Sequence, residues 1–286
     1  MKLALGTVQF GLDYGITNKN GQIGCDEAVR ILDRAAAEGI DILDTASAYG
    51  SSETVIGDYG RNGGAPFNIV SKTAPSSAEE FRESLRFSLF HLGSTSLYGY
   101  LFHDIKMFFS HPDLWQSMEQ AKEYGQVRKV GFSLYHPSEL EQLMRDRIPF
   151  DILQVPFSIL DQRFAPYFDE LHRAGVEVHV RSVFLQGVLL QDPSLLHFRF
   201  SKIEKKLRSL HALAREKKIP VTALCLGFAS LNPSIDRVVI GVDNLRNLEE
   251  NIAAAKHEDE VRPFLEEVAA LKEQDENIIL PNRWKQ

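Results

Sequence analysis

Cysteine is nearly missing from this chain of 286 residues: Cys25 and Cys225 are the two present, far apart, in no CxxC pair and at no histidine spacing that would hold zinc. That argues against a disulfide framework and a metal site, and both thiols are expected to be buried and structural. Long hydrophobic runs are also missing. The N-terminal MKLALGTVQFG is broken by Gly6, Gln9 and Gly11 before a signal-peptide core can form, and IPVTALCLGFASL is too short to span a bilayer and carries Pro220 and Thr222. Nor is there an excess of basic residues: 32 Lys and Arg stand against 39 Asp and Glu, a net charge of -7, which argues against nucleic-acid or anionic-membrane partners. No linker, low-complexity segment or charge block divides the chain. A single domain over residues 1–286 in a soluble, reducing, cytoplasmic setting is the expectation, because α/β barrels reach this length as one unit. Oligomeric state is left open.

What the chain does have is alternation. Strand-like runs KLALGT, GIDILDTA, FNIVSK, LYGYLFH, RKVGFS, DILQVPF, VEVHVRSV and DRVVIGV are separated by amphipathic helical runs, the sign of βαβ units and a parallel sheet. Eight of them predict a closed (β/α)8 TIM barrel with outer helices. Ser77 with Glu80, and Ser138 with Glu141, have capping-box spacing; Gly93 ends the first of those helices, and Gly39 and Gly175 fall at helix C-caps. The irregular stretches GLDYGITNKNGQIG, HDIKMFFSHP and FLQGVLLQDPSLLHF follow strands, on the face where barrels bind substrate. The tail ENIILPNRWKQ is placed to add a cover.

Asp44, Tyr49, Lys72 and His103 sit just past the ends of three successive strand runs, and barrel topology brings such positions to one face. A phenol is a poor acid near neutrality, but a neighbouring ammonium favours its ionised form, so Lys72 is expected to activate Tyr49. Asp44 would hold Lys72 charged, and His103 would position a carbonyl oxygen by hydrogen bonding. Such a set protonates a carbonyl oxygen. Completing a reduction then requires a hydride, which no side chain supplies, so a nicotinamide cofactor is implied. Its phosphates are expected where barrels commonly place them, near IGVDNLRNLEENIAAA: Gly241 permits close approach, Asn244 caps a helix buried on Leu245, Leu248 and Ile252, and the first amides of that helix face an anion. Gln186 and Gly187 supply the other half of the cradle.

With these residues in view, the chain resembles the aldo-keto reductases over essentially its whole length. GIDILDTASAYG is similar to that family's motif with catalytic Asp and Tyr, SK to its Lys and FHD to its His. The resemblance implies a (β/α)8 barrel reducing an aldehyde, ketone or sugar carbonyl with NADPH, Tyr49 acting as general acid or, in reverse, base. It further implies that Ser133 and Gln154 hold the nicotinamide carboxamide, that Ser182, Leu185, Gln186 and Gly187 hold the pyrophosphate, and that Gly241, Val242, Asn244, Asn247, Glu250 and Asn251 hold the adenosine end. Gly6, Thr7 and Phe10 match the cofactor-facing turn of the first strand. There are departures. Leu134 stands where the family usually has Asn, and Arg181 where many members stack an aromatic. Asp243 stands among residues that, in NADPH-selective members, carry positive or hydroxyl groups. Turned inward, Asp243 would repel a 2'-phosphate and favour NADH, so NADP is implied with NAD open.

Singly, each residue has an ordinary reading: Lys72 as a solvated charge, Tyr49 as a loop aromatic, His103 as the partner of Asp104. His136 and His179 read as structural. KMFFSHP and HFRFSK either wall a pocket or cover core. A polar substrate would find Tyr14, Asn18 and Arg163. Two other functions compete: a catalytically weak nucleotide-binding sensor or scaffold, and a lyase in which Lys72 forms a Schiff base, which needs a neutral amine.

Overall fold

A computed structural model describes residues 2–284. The expected strands all form: β1 (Leu3–Gly6), β2 (Ile42–Asp44), β3 (Asn68–Thr73), β4 (Leu97–Phe102), β5 (Val127–Ser133), β6 (Ile152–Pro156), β7 (Glu177–Arg181) and β8 (Arg237–Gly241). They close into a parallel barrel in sequence order, with Gly6 of β1 in register with Asp44 of β2 on one side and Gly241 of β8 on the other. Both faces of most strands are buried, which is why they read as near-continuous apolar runs rather than as alternations. The outer layer includes α1 (Cys25–Ala37), α2 (Ser52–Arg61), α3 (Ala78–Leu92), α4 (Leu114–Glu123), α5 (Pro137–Arg145), α6 (Phe168–Arg173), α7 (Glu204–Lys217), α8 (Val221–Ser230) and α9 (Leu245–Ala254).

Helix ends follow local chemistry, with two differences from expectation. Ser77 caps α3 by accepting from the Glu80 amide at 3.2 Å, and Gly93 ends it at φ 62°. The Glu80 carboxylate, however, reaches back to the amide and hydroxyl of Ser76, both at 2.6 Å. The start of α5 is set not by Ser138 and Glu141 but by Glu139, which accepts from the amides of Tyr135 and His136 at 2.8 and 2.9 Å, with Pro137 in the first turn. The reason is the proline: its fixed φ suits the first helical position, which moves the cap back to His136. Glu141 instead accepts from the Tyr167 hydroxyl. Cys225 is buried as expected, but Cys25 is exposed at the start of α1, since that helix turns Ala28, Ile31, Leu32 and Ala35 inward.

Inside the barrel, Ala4, Ile42, Val70, Leu101, Ile152 and Val239 form an apolar layer separate from the larger core between sheet and helices. Tyr98 packs against this layer and leads to a polar floor centred on Glu177. Its carboxylate accepts from the Tyr98 hydroxyl at 2.7 Å, from Lys129, and pairs with Nε2 of the fully buried His179 at 2.7 Å. Burial alone would raise the Glu177 pKa, but the hydrogen bonds from His179, Lys129 and Tyr98 prevail and bring it down to about 2. A carboxylate depressed by folding adds stability above its ordinary pKa of 4.5 and loses it as pH falls towards 2. Glu177→Ala should cost about 3 kcal/mol by stranding buried partners, read as a lower urea midpoint at pH 7. An unchanged midpoint would show the floor to be incidental.

Candidate active site

At the opposite end, the strand termini carry Asp44, Lys72 and His103, and the β2–α2 loop carries Tyr49. Lys72 is fully buried, and its Nζ donates to Asp44 Oδ1 at 2.7 Å and to the Thr45 carbonyl at 2.8 Å. Gln154, from across the barrel, donates to Asp44 Oδ2 at 2.6 Å. The Lys72 ammonium lies 5.2 Å from the centroid of the Tyr49 ring, and the His103 ring meets Tyr49 edge-on at 5.6 Å. Tyr49 is held there by its loop. Ser52 donates to Thr7 O and Oγ1, both at 2.8 Å, and Thr7 Oγ1 donates to Asp44 O at 3.0 Å, so the start of α2 is pegged to β1 and β2. Gly11 and Gly50 let the two loops cross: a Cβ on Gly11 would lie 1.8 Å from Tyr49 O, and one on Gly50 2.4 Å from Gly11 O.

This geometry corrects the expected role of Lys72. Tyr49 is not made more acidic. Burial, followed by the negative charge of Asp44, pushes its pKa well above the phenol's usual 10. The ammonium sits by the ring and is already neutralised by Asp44, so the pair presents little net charge to the phenol. His103 is pushed down from 6.5 to about 4, first by burial and then by Lys72. At neutral pH the site therefore holds a protonated phenol and a neutral imidazole. Lys72 itself is lowered by burial and raised by Asp44; buried and bonded twice, it lies below the cavity surface and presents no amine to a substrate.

Above these groups opens a cavity of about 530 Å³. Of the expected residues, Gly6, Thr7, Asp44, Tyr49, His103, Ser133, Gln154, Arg181, Ser182, Gln186, Gly187, Gly241, Asn247, Glu250 and Asn251 line it. Leu185 and Val242 do not; their side chains are buried in the core. Asn244 does not either, and spends its side chain on the Asn247 amide at 2.9 Å as the cap of α9. Phe10 also turns into the core, and Gln9 takes the cavity-facing position instead. Gln9, Thr17, Tyr135, Val183, Phe184, Gln191 and Thr222 are among the lining residues that strand patterns did not single out; Gln9, Tyr135, Val183 and Phe184 lie within three residues of a strand end, the one available signal.

The Phe-rich segments resolve towards core, with Phe108 and Phe200 buried, and Phe198 exposed outside the cavity. Arg163 is consumed by Asp161 and Glu276, and Asn18 by its own loop, which leaves Tyr14 as the lining residue of the three suggested for a polar substrate. The tail does form part of the cover: Glu276 binds His136, Arg163 and Arg283, and Asn282 borders a smaller hollow adjoining His103 and Tyr135.

The shape suits a dinucleotide. Ser133 and Gln154 are in register on β5 and β6, the Arg181 guanidinium lies 4.3 Å over the Tyr135 ring and donates to Leu134 O at 3.0 Å, and the β7 loop runs alongside. In that loop Ser182, Leu185 and Gln186 have φ of 64°, 49° and 50°, ahead of Gly187 at 83°. Non-glycine residues in this region cost about 1–3 kcal/mol each and gather at ligand clamps. The β1 loop bridges to them, as Thr17 donates to Gln186 O at 3.0 Å and Gln186 Nε2 to the Tyr14 hydroxyl at 3.0 Å. The expected anion site at the start of α9 is not open in the way supposed, because the Leu245 amide already donates to Glu27 Oε1 at 2.8 Å and the Asn247 amide to Asn244.

A parallel barrel with an acid–base cluster and a long cleft at its C-terminal face defines a class of barrel enzyme. The chain belongs to the aldo/keto reductase family, whose family model matches residues 2–269, and it is an oxidoreductase. It is 23% identical over 256 residues to the uncharacterized oxidoreductase YqkF of Bacillus subtilis, covering 80% of this chain and 82% of the relative. It is 25% identical over 287 residues to the L-galactose dehydrogenase of Arabidopsis thaliana, covering 92% and 89%. Its fold is similar to that of the holo form of aldo-keto reductase AKR11C1 from Bacillus halodurans, at a TM-score of 0.73 and 21% identity over 92% of this chain and 91% of that one. Among the described residues no helix is long and apolar enough to cross a membrane, and no His, Cys, Asp and Glu cluster is arranged to hold a metal ion.

Two outcomes test the site. Gly11→Ala should leave a folded barrel but displace Tyr49, lowering turnover by about 10²-fold; wild-type turnover would show that the loop crossing does not set the tyrosine. Folding stabilises neutral His103, so its contribution is complete above pH 6.5 and is lost as pH falls to about 4. The melting temperature of His103→Gln should therefore depend less on pH across that window than that of wild type, and parallel curves would place the acid sensitivity elsewhere.

Proposed function

We propose that this enzyme transfers a hydride between a nicotinamide dinucleotide and an aldehyde, ketone or sugar carbonyl, with Tyr49 as the proton donor in reduction. The observation that carries this reading is Tyr49 edge-on to His103 at 5.6 Å, both facing one cavity above the buried Asp44–Lys72 pair. A bound reduced nicotinamide supplies the hydride; the side chains do the rest. His103 donates a hydrogen bond to the carbonyl oxygen, as only a neutral or protonated imidazole with an N–H can. As hydride adds to carbon, the oxygen takes the Tyr49 proton, and the phenolate that remains regains a proton from solvent. Asp44 fixes Lys72, and through Oδ2 it also orients Gln154, whose carbonyl oxygen remains free for an amide. Ser133 and Gln154 are the proposed carboxamide partners, Ser182, Gln186 and Gly187 the proposed pyrophosphate partners, and Gly241, Asn247, Glu250 and Asn251 line the proposed adenosine end.

The hollow beside His103 is bordered by Asp104, Lys106, His136, Glu139 and Asn282 together with Ala74, Ile105 and Tyr135, a mixed wall whose polar groups leave room for a hydroxylated substrate. The similarity to a protein named for L-galactose is in keeping with that. The sensor or scaffold alternative rests on Leu134 and Arg181, and turnover with a panel of carbonyl compounds separates it from an enzyme. The Schiff-base alternative is disfavoured by the burial and double bonding of Lys72.

Tyr49→Phe should lower reductive kcat by about 10²–10⁴-fold while dinucleotide affinity stays within about twofold, since the hydroxyl acts in the chemical step. Retained kcat would remove Tyr49 as the acid. Because its pKa is raised, wild-type reduction should show no loss centred on the ordinary phenol value of about 10.

A further inference from the structure

The end of the cavity away from Tyr49 lies against the loop between β8 and α9, and its chemistry is acidic. Asp243, half-buried, faces the cavity, with Gln9 Nε2 3.4 Å from its Oδ1. Glu250 faces the same space. The start of α9, which in a phosphate site would offer free amides, is instead closed by the chain's own acceptors. The Leu245 amide goes to the Glu27 carboxylate at 2.8 Å, the Asn247 amide to Asn244 at 2.9 Å and the Asp243 amide to Asn247 at 3.3 Å. The nearby cations are already committed. Arg246 is exposed and bonded to Glu250 at 2.8 Å, Arg30 is paired with Glu27, and Arg34 bonds Glu38 at 2.8 Å. Among the residues that line the cavity, Arg181 is the one Lys or Arg, and it is turned towards β5, onto Tyr135 and Leu134 O.

We propose that this end of the site selects a dinucleotide with a free adenosine ribose, NADH rather than NADPH, and that Asp243 is the selecting residue. The proposal rests on the nicotinamide reading above and adds which dinucleotide is taken. A carboxylate accepts hydrogen bonds from ribose hydroxyls and has none to accept from a phosphate. A 2'-phosphate carries about -1.5 to -2 charge at pH 7, and it would meet the Asp243 carboxylate, whose partner is the uncharged Gln9 amide, while Glu250 is already paired with Arg246. Gln9, by donating to Asp243, keeps the acceptor oriented and compensates part of its burial, which by itself raises the Asp243 pKa.

Calorimetric titration of the full chain with NADH and NADPH, and with ADP-ribose and 2'-phospho-ADP-ribose, which lack the nicotinamide, tests this without any turnover. The unphosphorylated ligand of each pair should bind at least about tenfold more tightly, and the gap should shrink at high salt, since the repulsion is screened. Asp243→Ser should narrow the gap by about tenfold, tightening the phosphorylated ligands and weakening NADH a few-fold. Asp243→Asn, which keeps the side chain's shape, should narrow it in the same direction and guards against a loop that does not fold. NADPH binding as tightly as NADH to wild type, or an unchanged ratio in both variants, would overturn the proposal. Binding of both ribose fragments with the expected preference but of neither complete dinucleotide would instead overturn the nicotinamide reading and leave the ribose selection standing. Failure of all four ligands to bind would remove both.

Discussion

The buried pair of Asp44 and Lys72 is the interaction on which the rest of the site depends. A lysine taken wholly out of water is tolerable only with a close counter-charge and with its remaining protons bonded. Here Asp44 supplies the charge and Thr45 the second acceptor, while Gln154 occupies the carboxylate's other oxygen. One carboxylate thereby joins the ends of β2, β3 and β6. Tyr49 and His103 are set above this plug, and burial is the dominant influence on the ionisation of both rings.

The same barrel uses charge in opposite ways along one cleft. Around Tyr49 the buried Lys72 is spent on Asp44, and the Tyr49 and His103 rings face the cavity above that pair. Around Asp243 two carboxylates stand at the cavity wall, Asp243 beside the uncharged Gln9 and Glu250 paired with the exposed Arg246. Between the two ends, the β7 loop, with Ser182, Leu185, Gln186 and Gly187 in the left-handed region, runs along the cleft and is held by the β1 loop through Ile16, Thr17 and Tyr14. Those contacts help to hold a conformation that costs free energy on its own. The floor of the barrel, centred on Glu177, closes the other end: its carboxylate gathers Tyr98, Lys129 and His179 there.

Most of the architecture was legible in the order of the residues. Parallel strands buried on both faces leave apolar runs, and eight of them separated by helical patterns admit few arrangements besides a closed barrel. The tetrad was legible because polar residues ending such runs must converge on one face. What misled was chemistry read from neighbours in the chain. Phe10 and Gln9 are adjacent, and only packing decides which one faces the cavity. Pro137 outweighed the Ser138 spacing at the start of α5. The first amides of α9 appeared available because Glu27, more than two hundred residues away in sequence, gives no local sign that it will reach them.

The sequence by itself determined the barrel, the convergence of Asp44, Tyr49, Lys72 and His103, and the helix caps made by local groups such as Ser77, Gly93 and Asn244, because these depend on periodicity and on contacts within a few residues. Tertiary structure alone decided how deeply each titratable group is buried and which way each side chain points. Burial outweighs a single neighbouring charge, so Tyr49 becomes harder to ionise rather than easier. Orientation turns Asp243 into the cleft, so that its carboxylate lines the cavity wall.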